Sequence, residues 1–313
     1  MSTSVTDTLI ARLRTAGCVF AEDEAALLIE AADSAEQLES LAVRRIAGFP
    51  LEHLLGWAEF RGLRVAVAPD VFVPRQRTGF LVEQAIALAR QMIRSELHSA
   101  AAASLGTPTT TPADAAIAIQ AEAATLRASE STAAMAHSRP FIVLDMCCGS
   151  GALGMAFAIE AGAEGIAVEL TAADIEPAAV ACARRNLAGL EARVFQGDLF
   201  APVPAELAGR VRILLANTPY VPSAAIASMP PEARDHEPRV ALDGGADGLD
   251  VLRRIAAVAG DWLAPGGHLL VEESAEQAAS AAQVMRDHGL SARIAEDDEL
   301  GATVVIGTRD VGV

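Results

Sequence analysis

Residues 217–220, Asn-Thr-Pro-Tyr, have the types and spacing to hold a flat NH2 group still. The Asn217 side-chain oxygen can accept one N–H, and a neighbouring backbone carbonyl can accept the other. Pro219 has its φ set by its own ring, so the turn is stiff before a ligand arrives. The Tyr220 ring can lie against the plane of an amide or a base. A nitrogen gripped this way is aimed at an electrophilic carbon, and a sulfonium methyl suits the grip. Taken alone, the four residues also make an ordinary turn after a strand.

Three further segments narrow the reading. Ile142–Asp145 is an apolar run leading through Met146, Cys147 and Cys148 into Gly149-Ser150-Gly151. Gly149 and Gly151 allow a backbone to come close to a ligand. With Gly154 three residues on, a dinucleotide-binding turn stays open as an alternative. Asp174 ends the next apolar run, where a carboxylate accepts from two ribose hydroxyls. It could equally cap the helix that Pro177 begins. In Gln196-Gly197-Asp198-Leu199-Phe200, the Asp198 carboxylate can accept from an exocyclic adenine NH2, with Leu199 beside it and Phe200 packing nearby; a plain turn residue is the other reading. Asp145, Asp174, Asp198 and Asn217 each follow a successive strand at one sheet edge. That series favours a methyltransferase using S-adenosylmethionine over a dehydrogenase.

The elements that position these residues read as follows. Asp7–Arg14, Glu22–Ala32 and Ala35–Ala47 have apolar residues at helical spacing, with Leu27, Leu28, Leu38, Leu41 and Ile46 on inner faces. Ser34 caps the third helix, with Gln37 at the capping-box position. Trp57–Val67 alternates as a hairpin that Val71–Val73 continues. Phe80–Arg94 is helical. Strands are expected at Phe141–Asp145, Val168–Asp174, Ala192–Gln196, Arg212–Ala216, His268–Glu272, Ala292–Ala295 and Thr303–Thr308, with helices at Gly151–Ala161, Ala178–Ala188, Asp247–Ala259 and Glu276–His288. The order implies an α/β fold, an open and mainly parallel sheet with helices on both faces and an antiparallel last pair. The division expected is a helical domain at 1–55, a hairpin linker at 56–79, and a cofactor-binding domain at 80–313. The last carries a low-complexity Ala/Ser/Thr insertion at about 98–139, whose stretch Ala113–Ser129 has helical propensity.

The bulk composition sets limits. The 313 residues are 52% hydrophobic but 4% aromatic, so the core is built from Ala, Val, Leu and Ile, as suits helices on a parallel sheet. A net charge of −17 repels a nucleic-acid backbone and disfavours RNA or DNA as direct partner. The four cysteines form no Cys-x-x-Cys pair, so reduced thiols, a cytoplasmic location and no metal site are expected. No signal peptide or membrane span is expected either.

With these residues in view, Pro50–Arg309 resembles the release-factor glutamine methyltransferases. The resemblance is carried by Glu52–Phe60, by Val73–Thr78 with Leu81-Val82-Glu83, by Asp145–Gly151, by Asn217–Tyr220, and by Pro231-Glu232, Arg234–Pro238 and Ala241–Asp250. It implies a seven-strand S-adenosylmethionine domain with a small helical N-terminal substrate-recognition domain, acting on a protein glutamine in the Gly-Gly-Gln loop of a peptide chain release factor. It further implies that Asp174 binds the ribose, Asp198 the adenine region, and Gly149 and Gly151 the methionine end. Asn217 would hold the target amide with the Thr218 carbonyl, and Tyr220 would pack on its plane. Thr218 stands where the family has Pro, Gln76, Arg77 and Gly79 where it has Pro, Asp and Glu, and His53 where it commonly has Tyr. These departures fit a divergent or paralogous branch. Two rival readings use the same residues: an amino-methyltransferase acting on a base in RNA or DNA, and a non-catalytic protein that keeps the fold.

Overall fold

In the computed structural model, which describes residues 4–104 and 140–311, seven strands form one sheet. In chain order they are β3 (Phe141–Met146), β4 (Val168–Asp174), β5 (Ala192–Gln196), β6 (Val211–Ala216), β7 (Leu263–Glu273), β8 (Leu290–Asp297) and β9 (Ala302–Arg309). They lie side by side as β5-β4-β3-β6-β7-β9-β8. The first five are parallel, and β9 runs antiparallel to both β7 and β8. Strand order reverses between β3 and β6, the place where such sheets bind ligands beyond their carboxyl ends.

Every residue of β3 is buried, as a strand covered on both faces requires. Val143 packs with Phe157 of α6 (Ala152–Ala163) and with the long α5 (Gly79–Ser104). Ile142 and Leu144 face the other way, toward Leu252 and Ile255 of α9 (Asp250–Trp262) and Ala281 of α10 (Ala275–Asp287). The helix α7 (Pro177–Asn186) follows β4 with Pro at its start. A short α8 (Pro231–His236) precedes α9.

The first three helices, α1 (Val5–Thr15), α2 (Ala21–Ala31) and α3 (Ala35–Ile46), close around a core of their own that includes Leu13, Leu28 and Leu41. Leu38 and Ile46 pack at its margin, while Leu27 is only half-buried outside it. Ser34 Oγ accepts from Gln37 N, as its capping role requires, but Gln37 Oε1 reaches Asp33 N rather than closing the box on Ser34. The helix α4 (Leu51–Leu55) then leads into the hairpin β1 (Trp57–Phe60) and β2 (Leu63–Ala66).

Two expectations change. Val71–Val73 is not a strand. Two of its backbone groups are taken by side chains instead: the His53 ring nitrogen Nε2 bonds Val71 O at 2.9 Å, and Val73 N donates to Glu237 Oε1 at 3.3 Å, while Val71 N turns back to Ala68 O. The helix read as ending at Arg94 runs on to Ser104, because an Ala-rich segment continues a helix by propensity without a core to pack on. Ala113–Ser129 lies outside the described residues.

Arg45 on α3 binds Glu24 on α2 at 2.6 Å and Glu232 on α8 at 3.2 Å, and the Arg45 and Glu24 side chains are only 11% and 10% exposed. Arg45→Met should therefore strand the Glu24 carboxylate and cost roughly 3 kcal/mol in urea unfolding. Adding Glu24→Gln to the same chain should recover much of that loss.

Candidate active site

The strand ends are level. Met146, the last residue of β3, sits opposite Ala173 of β4 and Ala216 of β6, and Asp174 sits opposite Gln196 of β5. The residues that follow each strand therefore emerge at one edge, where a cavity of about 240 Å³ opens. Gly149, Asp174, Asp198, Leu199, Asn217, Thr218, Pro219 and Tyr220 all line it. Eight of the ten residues singled out in the sequence thus share one wall.

Gly149 has φ +54, and its N–H donates to Asp174 Oδ2 at 2.8 Å. The other oxygen, Oδ1, accepts from Glu176 N at 2.9 Å. Asp174 therefore shapes the local turn, and each oxygen still has a lone pair for a ligand hydroxyl. Burial pushes its carboxyl above the ordinary range, against the pull of those backbone N–H groups.

Asp145 and Gly151 stand behind this wall and are not part of the cavity lining. Asp145 is fully buried, with Oδ2 accepting from Gly154 N at 2.9 Å and Oδ1 unpartnered among the described residues. Burial pushes its carboxyl up to about 8, so at neutral pH it is an uncharged acid bracing the start of α6. Gly151 has φ +79, and a Cβ there would meet the Ala183 backbone on α7 at 3.3 Å. Its glycine serves helix packing. Phe200 is likewise off the lining and stacks on Trp262 with ring centroids 5.2 Å apart. Leu199, held at φ +47, takes the lining position.

Asp198 Oδ2 accepts from Arg254 Nη2 at 2.6 Å, and both side chains are more than half exposed. Chain order gives no hint of this partner, which comes from α9. The Asn217 carboxamide forms no hydrogen bond with any described residue, although its neighbours are packed. Thr218 is buried, and its hydroxyl has no partner among the described residues. The Tyr220 hydroxyl meets Arg77 and Glu272, and its carbonyl accepts from Gln277 Nε2 at 2.8 Å. Of these four partners, only Arg77 stood out in the sequence, for its charge.

The site fits S-adenosylmethionine on the chain's own evidence. It combines a carboxylate with free lone pairs, a backbone free of side chain at Gly149, an apolar side chain at Leu199, and the uncommitted carboxamide of Asn217. Among the described residues no helix is long and apolar enough to cross a membrane.

Comparison with known proteins adds the lineage. Residues 128–229 match the family model of the methyltransferase small domain. The release factor glutamine methyltransferase of Geobacter sulfurreducens is 32% identical over 272 residues, covering 86% of this chain and 76% of the relative. That of Mycolicibacterium smegmatis is 33% identical over 253 residues, covering 80% and 71%. The 4-amino-L-phenylalanine/4-methylamino-L-phenylalanine methyltransferase of Streptomyces pristinaespiralis is 30% identical over 246 residues, covering 79% and 68%.

Two outcomes follow. The unfolded chain releases the Asp145 proton near pH 4, whereas the folded chain keeps it up to about 8. The folded state holds the extra proton in between, so this contribution is full below about pH 4 and falls as pH rises toward 8. Glu273, buried and also pushed to about 8, acts with the same sign. Asp145→Asn should therefore flatten, without abolishing, the decline of melting temperature over that window. For the cofactor, calorimetry should show Asp198→Ala weakening binding about tenfold, as loss of one charge-assisted hydrogen bond implies. Arg254→Ala should change it by no more than about fivefold, since the exposed pair is worth about 1 kcal/mol or less.

Proposed function

This chain belongs to the release factor glutamine methyltransferases, and we propose that it methylates the side-chain amide nitrogen of a protein glutamine, with the Gly-Gly-Gln loop of a peptide chain release factor as substrate. The observation that carries the reading is Asn217: a carboxamide with no partner among the described residues, just past the end of β6 and lining the same cavity as Tyr220.

An amide nitrogen is a poor nucleophile because its lone pair is delocalised into the carbonyl. Bound S-adenosylmethionine would supply a methyl already activated by its sulfonium, so the protein's task is placement. Asp174 would hold the ribose hydroxyls, Asp198 and Leu199 the adenine end, and the Gly149 backbone the methionine end. The Asn217 oxygen and the Thr218 carbonyl, which accepts no hydrogen bond among the described residues, would take the two N–H bonds of the target amide. Two acceptors fix the nitrogen's direction and favour the positive charge that grows on it. Tyr220 would lie on the amide plane, and the stiff Pro219 turn keeps the set in register. Orientation of this kind can supply on the order of 7–11 kcal/mol. The nitrogen's surplus proton can leave to water, so no general base is needed.

The S. pristinaespiralis relative, whose name places it on an aromatic amine of a free amino acid, favours one second reading: a small amine in place of the glutamine. Incubation with labelled S-adenosylmethionine and either a purified release factor or 4-amino-L-phenylalanine separates the two. Label on the release-factor glutamine, mapped by mass spectrometry, is the outcome expected. In the same assay Asn217→Ala should lower single-turnover rate by about 10²–10³, as loss of a charge-stabilising group does, while cofactor affinity by calorimetry stays close to that of the parent. An unimpaired rate would remove Asn217 from the mechanism.

A further inference from the structure

Tyr220 is the only tyrosine in the sequence, and its hydroxyl is held by two partners. Arg77 Nη2 donates to it at 2.5 Å, and it donates to Glu272 Oε1 at 3.3 Å. Arg77 Nε closes the triangle on the same Oε1 at 3.0 Å. Glu272, near the end of β7, has a side chain only 3% exposed, and no other cation pairs with it among the described residues. At the residue's other end Gln277 Nε2 holds the Tyr220 carbonyl and, at 2.9 Å, that of Asp247. Tyr220 is therefore tied at backbone and at ring tip from two segments far apart in the chain, Arg77 just before α5 and Glu272 with Gln277 where β7 passes into α10.

We infer that Arg77 is a positioning residue for methyl transfer: with Glu272 it clamps the Tyr220 hydroxyl, so that the ring stands as a fixed wall of the target-amide site. The inference rests on the reading of Asn217–Tyr220 given above. The single phenol proton is spent on Glu272, and a lone pair is spent on the guanidinium. The hydroxyl is thus not available as a donor to substrate, and Tyr220 lines the cavity with its tip held. The guanidinium charge is balanced by the Glu272 carboxylate, so the clamp adds no net charge beside a nitrogen that becomes positive. A ring loose about its side-chain torsions would have to be ordered at each turnover, and that ordering is what the clamp removes.

A lone tyrosine makes the test direct, because ¹³Cζ-tyrosine labelling gives one resonance. Arg77→Met should lower kcat on a purified release factor by about ten- to a hundredfold, leave calorimetric S-adenosylmethionine affinity unchanged, and move the Tyr220 resonance. Arg77→Lys, which keeps a cationic donor, should recover much of the rate. Burial and the neighbouring Glu272 hold the Tyr220 phenol up at about 12, so Glu272→Gln should bring its ultraviolet titration down. Should Arg77→Met fail to fold, Arg77→Lys and Glu272→Gln carry the same readouts. Folded variants with parental kcat, or with an unmoved Tyr220 resonance and titration, overturn the inference. A parent chain that methylates no release factor overturns the functional reading instead, and the resonance and titration still decide whether the clamp exists.

Discussion

The site depends on parallel strands that end level. A parallel strand buried on both faces has little freedom of register, since a slip of one residue sends every side chain to the opposite face. In β3 such a slip would move Val143 away from Phe157 and bring the Asp145 carboxyl out of its contact with Gly154. It would also shift the strand by about 3.3 Å, enough to separate the Gly149 N–H from Asp174. Packing in the interior of the sheet thus sets the spacing at its rim, and polar residues at the rim need only be the right types at the right ends.

That division explains what could be read from the chain. Val168–Asp174, inside the sheet, and Ala192–Gln196, at its edge, have the bounds expected of them. Asp198, just after Ala192–Gln196, and Asn217, just after β6, fall at the rim because chain order puts them there. Which way a side chain points is a finer question. Asp145 lies two residues after Val143 and so shares its inward face, and strand alternation carried that signal although its position at a strand end suggested a ligand. Phe200 had the option of the cavity or of Trp262, and the aromatic partner lies 62 positions further on, beyond any local pattern. The same holds for Arg254 on Asp198 and for Arg77 on Glu272, pairs that only the folded chain brings together. Val71–Val73 failed as a strand for a related reason, because its partners are the side chains of His53 and Glu237.

The distant pairs are not scattered. Arg45 lies near the end of α3, and Arg75 and Arg77 lie between the hairpin and α5. Each meets a glutamate beyond Asn217: Glu232, Glu237 and Glu272. Glu237 and Glu272 are almost wholly buried, while their arginines stay partly open to solvent. Such pairs add little net stability, because desolvating the charges offsets much of their attraction. A buried carboxylate that loses its cation is nonetheless costly, so each pair penalises any placement of the N-terminal part of the chain that separates the two partners. Apolar contacts among Ala, Val and Leu could tolerate a small sliding of this segment over the sheet, whereas an arginine fork on a buried carboxylate tolerates far less. In a chain of net charge −17, these three cations hold the N-terminal part of the chain to the glutamates beyond Asn217, and Arg75 and Arg77 themselves line the cavity.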